Sequence, residues 1–257
     1  MHRTRNLTVL LAIAALLAAC SDDTSSGDTT NSQPAATTST QPAATSTTAG
    51  PTTTVSEPVV TTTEPAEVEQ LAIWPAADVV FTTPEAAATD FVTQVFGDGP
   101  VLGEFQAGDQ RSGEIEVFAS VDGAPIGNAR STLLLRQLGP ADGWFVLAAV
   151  NESATITVPE SGASVDAVPI TVEGVALGFE ATVVVSALVV GRAEPALDQE
   201  VTMAGNFDGA LPYSVILDLS DASPGDVVML LVRGGVGLET DPGDFGAIPV
   251  LVGSDGS

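Results

Sequence analysis

The chain has 257 residues and a formal net charge of -26, and its seven basic residues are all arginine. It holds one histidine, His2, and one cysteine, Cys20, which excludes a Schiff-base lysine, an internal disulfide and zinc sites built on several histidines or cysteines. So acidic a surface repels nucleic acid and anionic lipid headgroups, so neither is expected as a partner.

In chain order, Arg3 and Arg5 precede an apolar run from Leu7 to Ala19, with small residues Ala18 and Ala19 directly before Cys20. These are the parts of a signal peptide. A run of this length is too short for a membrane-spanning helix, which needs about 20 residues. Thr4 separates the arginines, so general secretion is expected rather than a twin-arginine route. The run Leu17-Ala18-Ala19-Cys20 resembles the bacterial lipoprotein family. That resemblance implies cleavage between Ala19 and Cys20 and lipidation of Cys20, which places the protein on the extracytoplasmic face of the cell membrane. Each acyl methylene buried in the bilayer contributes about 0.8 kcal/mol to such an anchor.

Removal of residues 1–19 takes His2 with it, and the loss of Arg3 and Arg5 moves the charge from -26 to -28. A chain matured in this way has no imidazole, no amine side chain and no free thiol. Ser-His-Asp and Cys-His catalysis are then excluded, and no cofactor is expected.

Residues 20–70 are dominated by Thr, Ser, Pro and Ala, as in Gln33-Pro34-Ala35-Ala36-Thr37. Too little of this segment is apolar to offset chain entropy, so it reads as a disordered stalk. Such a stalk reaches about 40 Å as a flexible coil and about 150 Å in a polyproline conformation.

Residues 71–153 read as a small α+β domain. Thr83 suits a helix N-cap, Pro84 the first helical position, Glu85 the positive end of the dipole and Gly97 the C-terminal stop. Ala88, Phe91, Val92 and Val95 then line one helical face. Strands are expected at Gly113 to Ser120, Ser131 to Leu138 and Trp144 to Val150, the last two joined by Gly139-Pro140-Ala141-Asp142-Gly143. Trp144 and Phe145 are expected in the core, and so is Trp74, although its place beside Pro75 makes it the better candidate for an exposed contact.

Residues 154–253 contain no helix signal. Seven apolar stretches, Thr155 to Val158, Val168 to Val172, Ala181 to Val190, Gln199 to Ala204, Tyr213 to Leu219, Val227 to Val232 and Ile248 to Val252, alternate with Gly, Pro, Asp and Ser clusters. That pattern suits an immunoglobulin-like sandwich. Residues 254–257 are a tail. The fold class is therefore mainly β: an immunoglobulin-like β-sandwich at the C-terminus, preceded by one helix on an antiparallel sheet and a disordered stalk.

The motifs Ile156-Thr157-Val158-Pro159, Gly162, Val172-Glu173-Gly174, Ala176 and Phe179-Glu180 resemble the immunoglobulin-like domain of bacterial spore-germination proteins. Gly205-Asn206-Phe207, the stretch from Pro212 to Leu219 and the closing Ile248 to Val252 are similar too. The resemblance implies a β-sandwich at the cell surface and carries no catalytic residue over.

Glu180 reads as a structural carboxylate before it reads as a ligand for a cation or a sugar. Glu239, Asp241 and Asp244 are weak calcium candidates, and a second acid cluster runs from Asp218 to Asp226. Neither has the spacing of an EF-hand loop, so solvated turns are the first reading and no metal is expected. Asn151-Glu152-Ser153 marks a turn, and local ion pairs are expected for Arg192 and Arg233. The function expected is non-catalytic: a binding or scaffolding module of the cell envelope, held to the membrane through Cys20, with envelope proteins or cell-wall glycan as partners. The alternative is a sensor or binding protein holding a small ligand or glycan in a cleft between domains. A carboxylate-based hydrolase ranks last.

Overall fold

The structure, a computed structural model, describes residues 70–253. The expected signal peptide, the expected cleavage residues Ala19 and Cys20, the expected stalk up to residue 69 and the tail lie outside the described residues. Among the described residues no helix is long and apolar enough to cross a membrane.

Helix α1 spans Pro84–Phe96 and begins as the sequence dictates. The Thr83 hydroxyl accepts a hydrogen bond from the Ala86 N–H at 3.2 Å, and Gly97 ends the helix with φ +82°. Its buried face is Pro84, Ala87, Ala88, Phe91 and Val92, with Val95 partly covered.

Thirteen strands follow in chain order. They are β1 (Val101–Leu102), β2 (Gln106–Ala107), β3 (Ser112–Val121), β4 (Ala124–Leu138), β5 (Gly143–Val150), β6 (Ala154–Val158) and β7 (Ser164–Val165). The remaining six are β8 (Pro169–Ala176), β9 (Thr182–Val189), β10 (Asp198–Met203), β11 (Leu211–Asp218), β12 (Val227–Gly234) and β13 (Phe245–Val252). All seven stretches expected in the C-terminal segment are strands. The long strand β4 starts well before the expected Ser131. Asp122 and Gly123, at φ 52° and +76°, form a two-residue turn between β3 and β4 of the kind Asp-Gly favours.

One large sheet has the order β1-β3-β4-β5-β13-β12-β9-β10, with β2 on β3 and β7 on β13. A second sheet has the order β11-β8-β6. The chain leaves the large sheet after β5 and enters the second one at β6. The two segments nevertheless share the large sheet, which is joined across β5 and β13 at the single pair Ala149–Ala247.

Two cores follow from the two faces of that sheet. On β12, Val228, Leu230 and Val232 enter the core between the sheets, while Met229 and Leu231 enter the core beneath α1. The run Val227 to Val232 is continuously apolar because both faces of the strand are covered. β13 divides in the same way, with Phe245 and Ala247 on the helix side and Val250 and Val252 on the sandwich side. Phe96 and Phe245 meet at a ring separation of 4.5 Å, bringing the end of α1 against the sandwich strand.

Trp74 is buried, packs edge-on against Phe91, and donates its indole N–H to Asp90 Oδ2 at 2.7 Å. Its expected burial is observed and an exposed role is not. Trp144 and Phe145 are likewise buried.

Candidate functional site

Three loops meet at one end of the sandwich: residues 177–181 between β8 and β9, 204–210 between β10 and β11, and 235–244 between β12 and β13. Their backbones hold one another directly. The Gly178 N–H donates to the Gly205 carbonyl at 3.0 Å, the Phe179 N–H to Gly235 at 3.0 Å, and the Gly235 N–H to Thr182 at 2.7 Å. Approach this close requires glycine. A Cβ on Gly178 would collide with the Thr182 carbonyl, and one on Gly234 with the carbonyl of Leu177.

The first loop makes a 3-10 turn over Phe179–Ala181 in which Glu180 and Ala181 take φ of 54° and 59°. Left-handed backbone at a residue with a Cβ costs roughly 1–2 kcal/mol each. The lattice of loop hydrogen bonds offsets that cost. One consequence of the turn is that Phe179 points away from both cores and stays 48 % exposed. Phe207, on the second loop, is 88 % exposed, and the two rings stand nearly perpendicular with centroids 6.4 Å apart. Two large apolar rings left in water at rigid loop tips are unusual where core burial dominates the energetics of aromatic side chains.

Beside the rings lies a cavity of about 200 Å³ lined by Phe179, Phe207, Val236, Arg130, Asp241 and Asp244 among others. Arg130 arrives from β4, in the other segment of the chain. Its Nη2 donates to Asp241 Oδ2 at 2.6 Å and its Nη1 to Asp244 Oδ1 at 3.4 Å. Asp241 Oδ1 also accepts the Gly243 N–H at 2.9 Å. Arg130 Nε is buried without an acceptor among the described residues. Burial pushes the Asp244 carboxyl above the ordinary aspartate range, and the attraction of Arg130 only partly offsets this. Asn151 ties the region to β4: its amide donates to the Arg130 carbonyl at 2.8 Å, and its side-chain oxygen accepts the Ser153 N–H at 2.6 Å. The Asn151 to Ser153 motif is thus an Asx turn.

The acids singled out as weak calcium candidates are not brought together as a ligand set. Asp241 and Asp244 are engaged by Arg130, while Glu239 is solvent-exposed. Among the described residues no group of three or more His, Cys, Asp or Glu side chains is placed to hold a metal ion. In the second acid cluster, Asp218 accepts from Ser220 and Asp226 from the Ser223 N–H, both within local turns. Glu180 is exposed at the left-handed turn, and no hydrogen bond to its carboxylate is seen among the described residues.

The ion pairs expected for Arg192 and Arg233 do not form among the described residues. The pairs that do form use Arg111 with Asp142 and Arg130 with Asp241 and Asp244. Arg233 is half-buried on β12 between Phe245 and Val184, and burial lowers its pKa. Sequence reasoning gave Arg130, Phe179 and Phe207 no functional role, although both phenylalanines fall in the motifs that carry the family resemblance. Phe207 carried a signal, because a phenylalanine between Asn206 and Asp208 within the turn that Gly205 and Gly209 enclose has no regular strand to carry it into a core. Arg130 carried none, since its partners are more than 100 residues away.

A larger groove of about 580 Å³ runs along the junction of β4, β5, β6 and β13, where a cleft between segments was expected. Three of its polar side chains are already engaged, which leaves Thr132 and Glu152. Ser131 Oγ donates to the Val150 carbonyl at 3.2 Å, Thr155 Oγ1 accepts the Val175 N–H at 3.4 Å, and Asn151 is bonded at both ends. An apolar groove with so few free polar groups has little with which to orient a ligand.

The chain is mainly β, and its C-terminal part is an immunoglobulin-like domain. A family model described as the immunoglobulin-like domain of bacterial spore germination matches residues 153–233. No curated protein and no solved structure matches the chain. The matched residues include Phe179 and Phe207, whereas Arg130, Asp241 and Asp244 lie outside them.

Proposed function

We propose that this protein is a non-catalytic binding module of the cell envelope, held on the extracytoplasmic face of the membrane by lipid on Cys20. The observation that carries the binding role is the exposed pair Phe179 and Phe207 on loops locked backbone to backbone. Rigid loops lose little conformational freedom when a partner arrives, so the apolar area they present converts into affinity. The composition supports a role without catalysis, because neither a lysine nor a histidine beyond His2 is present to serve as base or nucleophile. The anchor rests on the segment from Arg3 to Cys20 and its likeness to lipoprotein signals.

Both parts have a direct test. Cells expressing the full chain should incorporate labelled palmitate and retain the protein in the membrane fraction, and Cys20→Ala should abolish both. Label that persists in this variant refutes the anchor. For the binding role, crosslinking in intact cells should join the protein to envelope material through the loop end, and Phe179→Ala combined with Phe207→Ala should remove those adducts.

A further inference from the structure

The chemistry of the loop-end cavity selects a class of ligand, and this step rests on the binding role proposed above. Its volume of about 200 Å³ lies below the roughly 300–1,000 Å³ of sites for drug-sized ligands, so it takes one ring or one side group. Its charges argue against ions of either sign. An anion meets Asp241, Asp244 and the acidic surface as a whole, while a cation meets the Arg130 guanidinium. Both oxygens of Asp241 already accept hydrogen bonds.

What remains open is a donor and acceptor pair. Arg130 Nη1 and Asp244 Oδ1 are 3.4 Å apart, well beyond the roughly 2.7–2.9 Å of a good charge-assisted bond. A hydroxyl both donates and accepts. Bridging that long contact from the side, it accepts a hydrogen bond from Arg130 Nη1 and donates one to Asp244 Oδ1. The perpendicular rings of Phe179 and Phe207 supply the other half of the recognition. Their negative faces attract weakly positive C–H bonds. Hydroxyls at an edge together with an apolar C–H face describe a sugar ring.

We infer that the cavity bounded by Phe179, Phe207, Arg130 and Asp244 is a binding site for one ring of a neutral saccharide. The ring stacks on the phenylalanines, and its hydroxyls bridge Arg130 and Asp244.

The test is saturation-transfer NMR on the full chain in detergent, with cellotriose, mannotriose and triacetylchitotriose as probes and choline chloride and methyl phosphate as ionic controls. Saturation should reach the ring C–H protons of at least one trisaccharide and neither ion. Phe207→Ala should weaken the binding about tenfold, the loss of one aromatic contact. Its melting temperature should stay unchanged, because Phe207 is 88 % exposed. Arg130→Gln should weaken binding as well while leaving saturation of the C–H face detectable. The inference is overturned if none of the three sugars binds, if binding is indifferent to Phe207→Ala, or if choline or methyl phosphate binds in their place. Failure with all three sugars while in-cell crosslinking through the loops still captures a partner rejects the saccharide alone. Failure of both rejects the binding role as well.

Discussion

Arg130 and Asp241 are 111 positions apart in sequence and 2.6 Å apart in the fold. The contact joins the long arm of β4 to the loop between β12 and β13, so one side of the loop-end cavity is supplied by each segment of the chain. Arg130→Ala leaves Asp241 and Asp244 covered without their cation. The expected loss is about 1–3 kcal/mol, moderated by the partial exposure of the guanidinium. Arg130→Lys should recover only part of it, because an ammonium cannot address both carboxylates with a planar fork. Urea unfolding of the three proteins measures the effect, and an unchanged midpoint in Arg130→Ala contradicts it.

Asp244 makes stability depend on pH in the direction opposite to an ordinary paired aspartate. Its folded pKa is raised above the reference value of 3.8, chiefly by burial. The contribution is therefore fully present below 3.8 and is lost as pH rises through the raised value. Asp244→Asn should gain stability relative to the unmodified chain over that rise. Asp218, whose pKa is lowered by hydrogen bonds from the Ser220 side chain and backbone, should behave in the reverse sense, with its contribution lost as pH falls below 3.8. Melting curves of Asp244→Asn and Asp218→Asn against pH should diverge from the unmodified chain with opposite slopes.

Tyr213 is buried, and its hydroxyl donates to the Thr155 carbonyl at 3.1 Å, which links β11 to β6 across β8. Burial raises its pKa, so the hydroxyl keeps its proton to higher pH than an exposed tyrosine does. Tyr213→Phe should cost about 1 kcal/mol, the net worth of one buried hydrogen bond. Denaturant midpoints at constant slope provide the measurement, and a stabilised variant contradicts the role given to this bond.

Phe91 is fully buried beneath α1, and Leu217 is fully buried between the two sheets. Since β12 and β13 contribute side chains to both cores, damage on either side should be felt by the whole. Phe91→Ala should cost about 3–5 kcal/mol and Leu217→Ala about 2–5 kcal/mol. Both should shift one common calorimetric transition. Two transitions, with each substitution moving only one, contradict this coupling.

The helix and the seven sandwich strands were legible because local chemistry dictates them: a Thr83 cap, Pro84 at the start, Gly97 at the end, and apolar runs between turn residues. The first half of β4 was not legible. Residues 124–130 are largely exposed and show no alternation; only 124–126 pair with β3, and 127–130 span a shift of register. The long apolar run of β12 was legible as a strand, but the separate destinations of Met229 and Leu230 were not. A run covered on both faces looks the same whichever layers cover it. The candidate site was the least legible part, since Phe179 and Phe207 lie in different turns and Arg130 meets its acids only through the shared sheet.

The central claim is that the protein engages its partner through the end of the sandwich that carries Phe179 and Phe207. The most direct measurement places a photo-crosslinking amino acid at position 207 or, separately, at the exposed Ile216 on β11, and irradiates intact cells. Envelope adducts from position 207 and none from position 216 are the predicted result. Equal yields from both positions, or adducts from position 216 alone, contradict it.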